Sequence, residues 1–268
     1  MADILYKNPP LVEVICEIHW QLQPLQALDP HAKLDPHFPA LKEDVDVWAA
    51  KEGFTAIEEI QDPRLPREFR PYAPETRYRR GPGEWPLFQI GPGIFAVNTV
   101  PPYSGWSKFG ETFAHFLGVL YKTYPLPERY LKISQLEIRY LNAFDNRFGY
   151  SSYSKFASES LTMVASLPDR LVKEHLADGG DIEVNQQIAF PLKSPANAMA
   201  VIQLGTGLRE GVKALLTNLL VRENIAKPAP MKSSDILVWF DQAHAAVRDV
   251  FDSVLTDATR ERMQPQEE

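Results

Sequence analysis

An apolar stripe near the C-terminal end of the sequence constrains the fold more than any other feature. Ser233 and Ser234 offer a helix N-cap, and apolar residues then recur at steps of three and four as far as Ala258. This pattern predicts a helix of roughly 28 residues, about 42 Å long, that must lie along a broad apolar surface. A β-sheet is the natural partner for such a helix.

Shorter patterns predict the strands and the remaining helices. Residues 11–20 and 131–144 alternate apolar with polar side chains, which is typical of half-buried strands. Two apolar runs joined by Gly91-Pro92-Gly93 predict a hairpin. Further strands are expected at 54–60, 182–192, 198–206 and 212–222. Helices are expected at 41–52, 104–124 and 153–175, the last broken at Pro168.

These elements favour an α+β fold with two mainly antiparallel β-sheets, each covered by a long α-helix. We expect residues 1–268 to form a single structural unit, either undivided or composed of two similar halves at about 1–150 and 151–268. The two halves share no detectable sequence identity, so any similarity between them would concern shape.

Composition limits the cellular locations and the partners that we expect for this chain. No apolar run approaches the ~20 residues of a membrane-spanning helix, and the start of the sequence lacks the layout of a signal peptide. The single cysteine, Cys16, lies among apolar residues and is interpreted as a small buried side chain. We therefore predict a cytoplasmic protein with no membrane contact. A formal charge of −7 makes nucleic acid possible as a partner but not favoured.

One basic segment departs from the acidic average. Residues 63–80 contain six arginines and two glutamates, a net charge of +4, with aromatic residues interleaved. The candidate contacts for a ligand or partner are Arg64, Arg67, Arg70, Arg77, Tyr78, Arg79 and Arg80. A proline-rich surface excursion that contacts protein is one interpretation, and an anion or nucleic-acid site is the other.

A second cluster is expected on the strands. Glu13, Glu17 and His19 occupy the polar positions of one strand, and Glu137 and Arg139 occupy those of another. These side chains would meet if the strands are neighbours. Triphosphate-tunnel enzymes carry Glu-x-Glu-x-Lys, whereas the two glutamates here are four apart, so we expect cross-strand ion pairs and no metal.

No catalytic, metal or cofactor motif stands out. The six histidines lack metal-ligand spacing, and no serine lies in a Gly-x-Ser-x-Gly elbow. We interpret His115 and His244 as histidines on helix flanks. The prediction is a protein without catalytic residues, metal or cofactor.

Three separated motifs carry a resemblance to a known family. They are Asn8-Pro-Pro-Leu-Val-Glu13, Arg139-Tyr-Leu-Asn142, and His244 followed by Phe251 and by Leu255-Thr-Asp257 to Met263. The chain resembles an uncharacterised, sporadically distributed bacterial family with these motifs. The resemblance spans nearly the whole chain and implies one unit, with no activity attached.

Three functional hypotheses remain open from the sequence. The first is a non-catalytic binding or accessory protein that engages a protein partner or itself, in a mobile defence or toxin–antitoxin-type locus. The second is an enzyme or sensor that acts on a phosphorylated ligand, nucleotide or nucleic acid through segment 63–80. The third places ligand binding on the Glu/Arg strand face.

Overall fold

The computed structural model describes residues 5–25, 32–62, 64, 66–177 and 180–266. The content of proline, histidine and aspartate in residues 21–40 predicts a long loop, of which residues 26–31 lie outside the described residues. Residues 63 and 65 of the basic segment also lie outside them. So do the first four residues, on which the expectation about a signal peptide partly depends.

Thirteen strands are formed by the described residues. They are β1 (Leu5–Tyr6), β2 (Leu11–Trp20), β3 (Gln23–Pro24), β4 (Lys33–Leu34), β5 (Ala56–Glu59), β6 (Thr76–Arg79), β7 (Leu87–Gly91), β8 (Ile94–Thr99), β9 (Lys132–Phe144), β10 (Asn185–Pro191), β11 (Met199–Arg209), β12 (Val212–Pro230) and β13 (Pro265–Gln266). The α-helices are α1 (Phe38–Lys51), α2 (Trp106–Thr123), α3 (Pro127–Tyr130), α4 (Tyr153–Ser160), α5 (Asp169–His175), α6 (Ser233–Val254) and α7 (Asp257–Arg262).

Nine of the strands form one antiparallel sheet in the order β10-β11-β12-β9-β2-β8-β7-β6-β5. The predicted α+β class and antiparallel pairing are confirmed, but the prediction of two sheets is wrong. The reason lies in β9, which pairs with β2 on one side and with β12 on the other. The strands on both sides of this central pair are thereby joined into a single sheet.

The same order of elements occurs twice along the chain. The segment from β2 to α2 contains, in order, a strand, a helical segment, an antiparallel meander and a long helix. The segment from β9 to α6 has the same order. The first strands of the two repeats, β2 and β9, pair at the centre of the sheet. The division into two similar halves at about 1–150 and 151–268 stays a prediction, and the second occurrence of this element order begins with β9 at Lys132.

The long helices lie on one face of the sheet. α2 packs on β8, α6 packs on β9 and β12, and α1 packs beside α2. The apolar faces of the elements predict a core that contains Val12, Val14, Ile18, Phe113, Leu117, Phe240, Val247 and Phe251. Six of these eight are buried: Val14, Ile18, Phe113, Leu117, Phe240 and Val247. Val12 and Phe251 are only partly buried. A register shift between Leu11 and Glu13 turns Leu11 inward in place of Val12.

Several element boundaries differ from the sequence patterns. β6 forms inside the proline-rich stretch expected to be irregular, because β5 and β7 pair with it on both sides. β12 continues through Pro228, although proline usually interrupts a ladder, and its register with β9 shifts between Asn224 and Ala229. The expected long C-terminal helix ends at Val254, and α7 continues after a break.

Candidate functional site

The charged strand residues expected to meet do lie together, on the sheet face opposite the long helices. Glu17 of β2 stands directly across from Glu137 of β9. Glu137 is 1% exposed and accepts hydrogen bonds from both Arg139 and Arg222. Two guanidinium groups therefore supply the opposite charge and the hydrogen bonds that a buried carboxylate requires.

Amide side chains continue this polar face toward the edge of the sheet. Asn98 donates a hydrogen bond to Glu13 (2.8 Å), and Gln89 donates one to Asn98 (3.1 Å). Burial and the neighbouring charge of Arg77 lower the pKa of Arg79, and the nearby glutamates oppose this shift.

The charges on this face perturb each other's ionisation. Burial alone would raise the pKa of Glu17, but the hydrogen bond with His19 and the charges of Arg139 and Arg222 lower it below its ordinary value. Burial opposes the charge of Arg139, yet Glu137 and the neighbouring glutamates raise the Arg139 pKa. The network therefore favours the ionised form of Glu17 and the charged form of Arg139.

The paired charges on this face, from β12 to the edge strand β5, are equal in number. Its carboxylates are those of Glu13, Glu17, Glu58 and Glu137, and its guanidinium groups are those of Arg77, Arg79, Arg139 and Arg222. A face with balanced charge has no excess attraction for phosphate. Within the described ranges, no group of three or more His, Cys, Asp or Glu side chains is arranged to hold a metal ion.

The basic segment does not form one site, because its residues point to different surroundings. Arg64 pairs with Asp62, Arg67 with Glu75, Arg77 and Arg79 with Glu58, and Arg80 with the Glu52 carbonyl. Tyr78 is fully buried on the helix face, where it stacks on Phe88 and donates to Asp46 (2.6 Å). Arg70 buries its Nε without a hydrogen bond to any described residue. Among the described residues of the segment, Arg77 and Arg79 alone reach the polar sheet face.

A hydrogen-bonded aromatic cluster lies between the sheet and α6, and it joins Tyr140 and His244, both from quoted motifs, to Tyr103, which no sequence pattern singled out. The Tyr140 hydroxyl is 2.7 Å from His244 Nδ1, and the Tyr103 hydroxyl is 3.3 Å from that of Tyr140. The Trp106 indole stacks on the His244 ring with centroids 4.7 Å apart and donates to Asp241. His244 thus lies on α6, as expected, and its ring contacts Tyr140 of β9 and Trp106 of α2.

This cluster borders a cavity of about 100 Å³ between the N-terminal segment, β9 and α6. The walls are Leu5, Tyr6, Pro9, Pro10, Leu11, Tyr103, Tyr140, Asn142, His244, Val247, Arg248 and Phe251. All three motifs that carry the family resemblance contribute to these walls. The three motifs lie far apart in the sequence, and their occurrence together is the one sequence signal that could have indicated the cavity.

A larger groove of about 660 Å³ runs beside α6 in the second repeat. One side is formed by α6 residues between Gln242 and Val254, including Ala245 and Ala246, and the other by β10, β11 and the loop after β10. In the first repeat, α1 lies in the corresponding position next to α2. Its Trp48 ring contacts Phe88 of β7, and its Asp46 accepts from Tyr78 of β6.

The helical segment of the second repeat does not fill this groove as α1 fills the first. α4 is eight residues long and packs against α7. All seven residues of α5 are solvent-exposed, including Leu171 and Val172. The groove beside α6 consequently keeps its apolar walls open to solvent.

Comparison with known proteins adds no assignment: no known protein family and no curated protein matches this sequence. Among the described residues, no helix is long and apolar enough to cross a membrane.

Proposed function

We propose that this chain is a non-catalytic binding protein that receives an amphipathic helix of a protein partner in the groove beside α6. The observation that carries the proposal is the contrast between the two repeats. Where α1 packs beside α2, the corresponding position beside α6 is an open groove with apolar walls. Helix-in-groove recognition uses this kind of surface.

The dimensions of the groove suit a helix of ordinary length. Its α6 wall extends from Gln242 to Val254, about 18 Å at the helical rise per residue. α1, the helix that fills the first repeat, has 14 residues and is therefore about 21 Å long. Ala245 and Ala246 have short side chains, so a partner helix can approach α6 closely.

The chemistry of the groove favours protein over nucleic acid. Its walls are mainly apolar, with Lys193 and Asp249 bringing opposite charges to its border. A partner helix would place apolar residues at i, i+3, i+4 and i+7 on these walls. The proposal includes a cytoplasmic location and a gene in a mobile defence or toxin–antitoxin-type locus. The products of neighbouring genes are therefore the first candidates for the partner.

Site-specific photo-crosslinking in the native host tests the proposal. A photoreactive amino acid at position 246 would lie in the groove, and one at position 238, where Val238 is 55% exposed outside it, is the matched control. We expect position 246 alone to capture a protein, through a segment with helical apolar periodicity. Equal capture from both positions, or capture through a segment without that periodicity, contradicts the proposal.

Binding of the captured segment to variants of this chain then tests whether the segment occupies the groove. Titrated as a peptide against the purified chain, it should bind wild type and the Val238→Arg variant with equal Kd. Ala246→Arg places a long charged side chain in the apolar groove and should weaken binding at least about tenfold. Unchanged binding by Ala246→Arg would place the partner elsewhere on the protein.

A further inference from the structure

We infer that two copies of this chain associate through β10, whose outer edge pairs antiparallel with the same edge of the second copy about a two-fold axis at Gln187. β10 is the end strand of the nine-stranded sheet, and within the described residues it pairs with β11 alone. This inference goes beyond the proposed helix groove, because it concerns the backbone edge of β10 and the polar face of the sheet.

The outward-facing backbone groups of β10 follow from its ladder with β11. Val184, just before the strand, accepts a hydrogen bond from the Thr206 N–H (3.0 Å), and Leu192, just after it, donates one to Ala198 (2.9 Å). Bonded and non-bonded pairs alternate along an antiparallel ladder, so the even-numbered residues of β10 bond to β11. The odd-numbered residues direct their backbone groups away from the sheet, and no described residue bonds to those groups. The residues with an outward N–H are Asn185, Gln187 and Ala189.

The composition of β10 does little to protect this edge against pairing. No residue of the strand is charged, and most are solvent-exposed. At the opposite edge of the sheet, β5 has only four residues, and Glu58 and Glu59 would place like charges against a second copy. Short length and charge are the usual means by which edge strands avoid pairing. β5 has both, whereas β10 has only Pro191 at its end, which lacks an N–H.

A row of amide side chains on the polar face leads to this edge. Asn218 of β12 donates to Gln203 of β11 (2.5 Å), and Gln203 donates to Gln187 of β10 (2.7 Å). The row ends at Gln187, whose amide nitrogen carries two N–H donors. With Gln187 opposite Gln187 of the second copy, the two rows join across the axis. Cross-strand side-chain pairs of this kind stabilise a sheet.

Charges at the two ends of β10 favour the antiparallel orientation. With the axis at Gln187, Asn185 of one copy faces Ala189 of the other, and each bonded pair exchanges two backbone hydrogen bonds. Glu183, before the strand, then lies diagonal to Lys193 of the second copy, within reach of long side chains. Both charged residues are solvent-exposed. A parallel arrangement would instead bring each of them against its own copy.

Sedimentation velocity with charge variants at position 187 tests the association. Wild type should sediment as a dimer at about 50 µM protein, a concentration suited to a small interface. Gln187→Lys and Gln187→Glu each place like charges at the axis and should sediment as monomers, whereas their equimolar mixture should restore the dimer. Leu208→Lys, at a residue of β11 that is 63% exposed, is the matched control and should remain dimeric. A monomeric wild type, a dimer that survives Gln187→Lys, or a mixture that stays monomeric overturns the inference.

Cysteine substitutions test the register without the charge variants. The native Cys16 is fully buried and should not react. Gln187→Cys should form a disulfide between two copies on mild oxidation, since bonded pairs have Cα atoms about 5.5 Å apart. Asn185→Cys should do so only when mixed with Ala189→Cys. Cross-linking of Asn185→Cys with itself, or none for Gln187→Cys, overturns the inference.

The helix groove and this interface are tested separately by one further variant. Ala246→Arg, which should lose the helix partner, should still sediment as a dimer because position 246 lies on α6 and not on the edge strand. A monomeric but folded Ala246→Arg would contradict an interface confined to β10.

Discussion

The rings of Phe113 on α2 and Phe240 on α6 lie 4.4 Å apart, and both side chains are fully buried. The long helices of the two repeats therefore pack on each other as well as on the shared sheet. Aromatic pairs of this kind add to the free energy gained by burial. The contact links the two repeats on the helix face, just as the pairing of β2 with β9 links them within the sheet.

We predict that Phe240→Ala lowers the free energy of unfolding by about 3–5 kcal/mol, because a large buried ring leaves a cavity. Denaturant unfolding followed by tryptophan fluorescence and by far-UV circular dichroism would measure the change. The shared core predicts coincident transitions for both signals, before and after the substitution. Two separated transitions in the wild-type protein would contradict a common core.

Phe251→Ala should be less destabilising, about 1–3 kcal/mol, although Phe251 belongs to the same apolar stripe. Its ring is only partly buried and borders the cavity, so fewer contacts are lost. The two alanine variants measured side by side test this ranking. A loss for Phe251→Ala equal to that for Phe240→Ala would mean that the ring is more tightly enclosed than the structure indicates.

Local periodicity was enough to predict most elements, and its failures have identifiable causes. The alternation in residues 11–20 and the helical spacing in 104–124 correspond to β2 and α2. β6 was missed because its four residues follow a proline-rich stretch and are held by pairing with strands on both sides. The single sheet was missed because strand order depends on long-range pairing, which local patterns do not contain.

The candidate sites were predictable to different degrees. The strand-face charges were expected to meet because alternation fixes the face of each side chain, and β2 and β9 are indeed neighbours. The partner of Glu137 on a third strand, Arg222, was not expected. The Tyr140–His244 contact joins residues 104 positions apart, and spacing alone gives no signal at that distance.

We predict that Glu137→Gln destabilises the protein by about 3 kcal/mol, because it leaves two arginines without their buried carboxylate. Glu58→Gln is the control, since Glu58 pairs with Arg77 and Arg79 at a more exposed position and should cost less than about 1 kcal/mol. Chemical denaturation at neutral pH measures both losses. Equal losses would show that the buried pairing has no special role.

Glu17→Gln should give a stability loss that depends on pH. The folded-state pKa of Glu17 is lowered from its ordinary value of 4.5, so its stabilising effect is complete above that pH and is lost as the pH falls through the folded pKa. We expect a loss of about 1 kcal/mol at pH 7 that shrinks toward zero in acid. Melting temperatures of the wild type and of Glu17→Gln, measured from pH 7 down through the folded pKa of Glu17, test the prediction. A difference in melting temperature that does not change with pH would refute it.

The basic segment should not confer tight binding to nucleic acid. Five of its six arginines pair with a carboxylate or a backbone carbonyl, Arg77 and Arg79 sharing Glu58, and the whole chain carries a charge of −7. Tight binding would require several simultaneous phosphate contacts, each adding close to one unit of salt dependence. We therefore expect a Kd for duplex DNA no tighter than ~10⁻⁵ M at physiological salt.

Fluorescence anisotropy with single- and double-stranded DNA and RNA, across a salt series, measures this Kd. The variant Arg77→Ala, Arg79→Ala, Arg80→Ala should behave as wild type. Submicromolar affinity with a steep salt dependence, lost in that variant, would instead identify the segment as a nucleic-acid site.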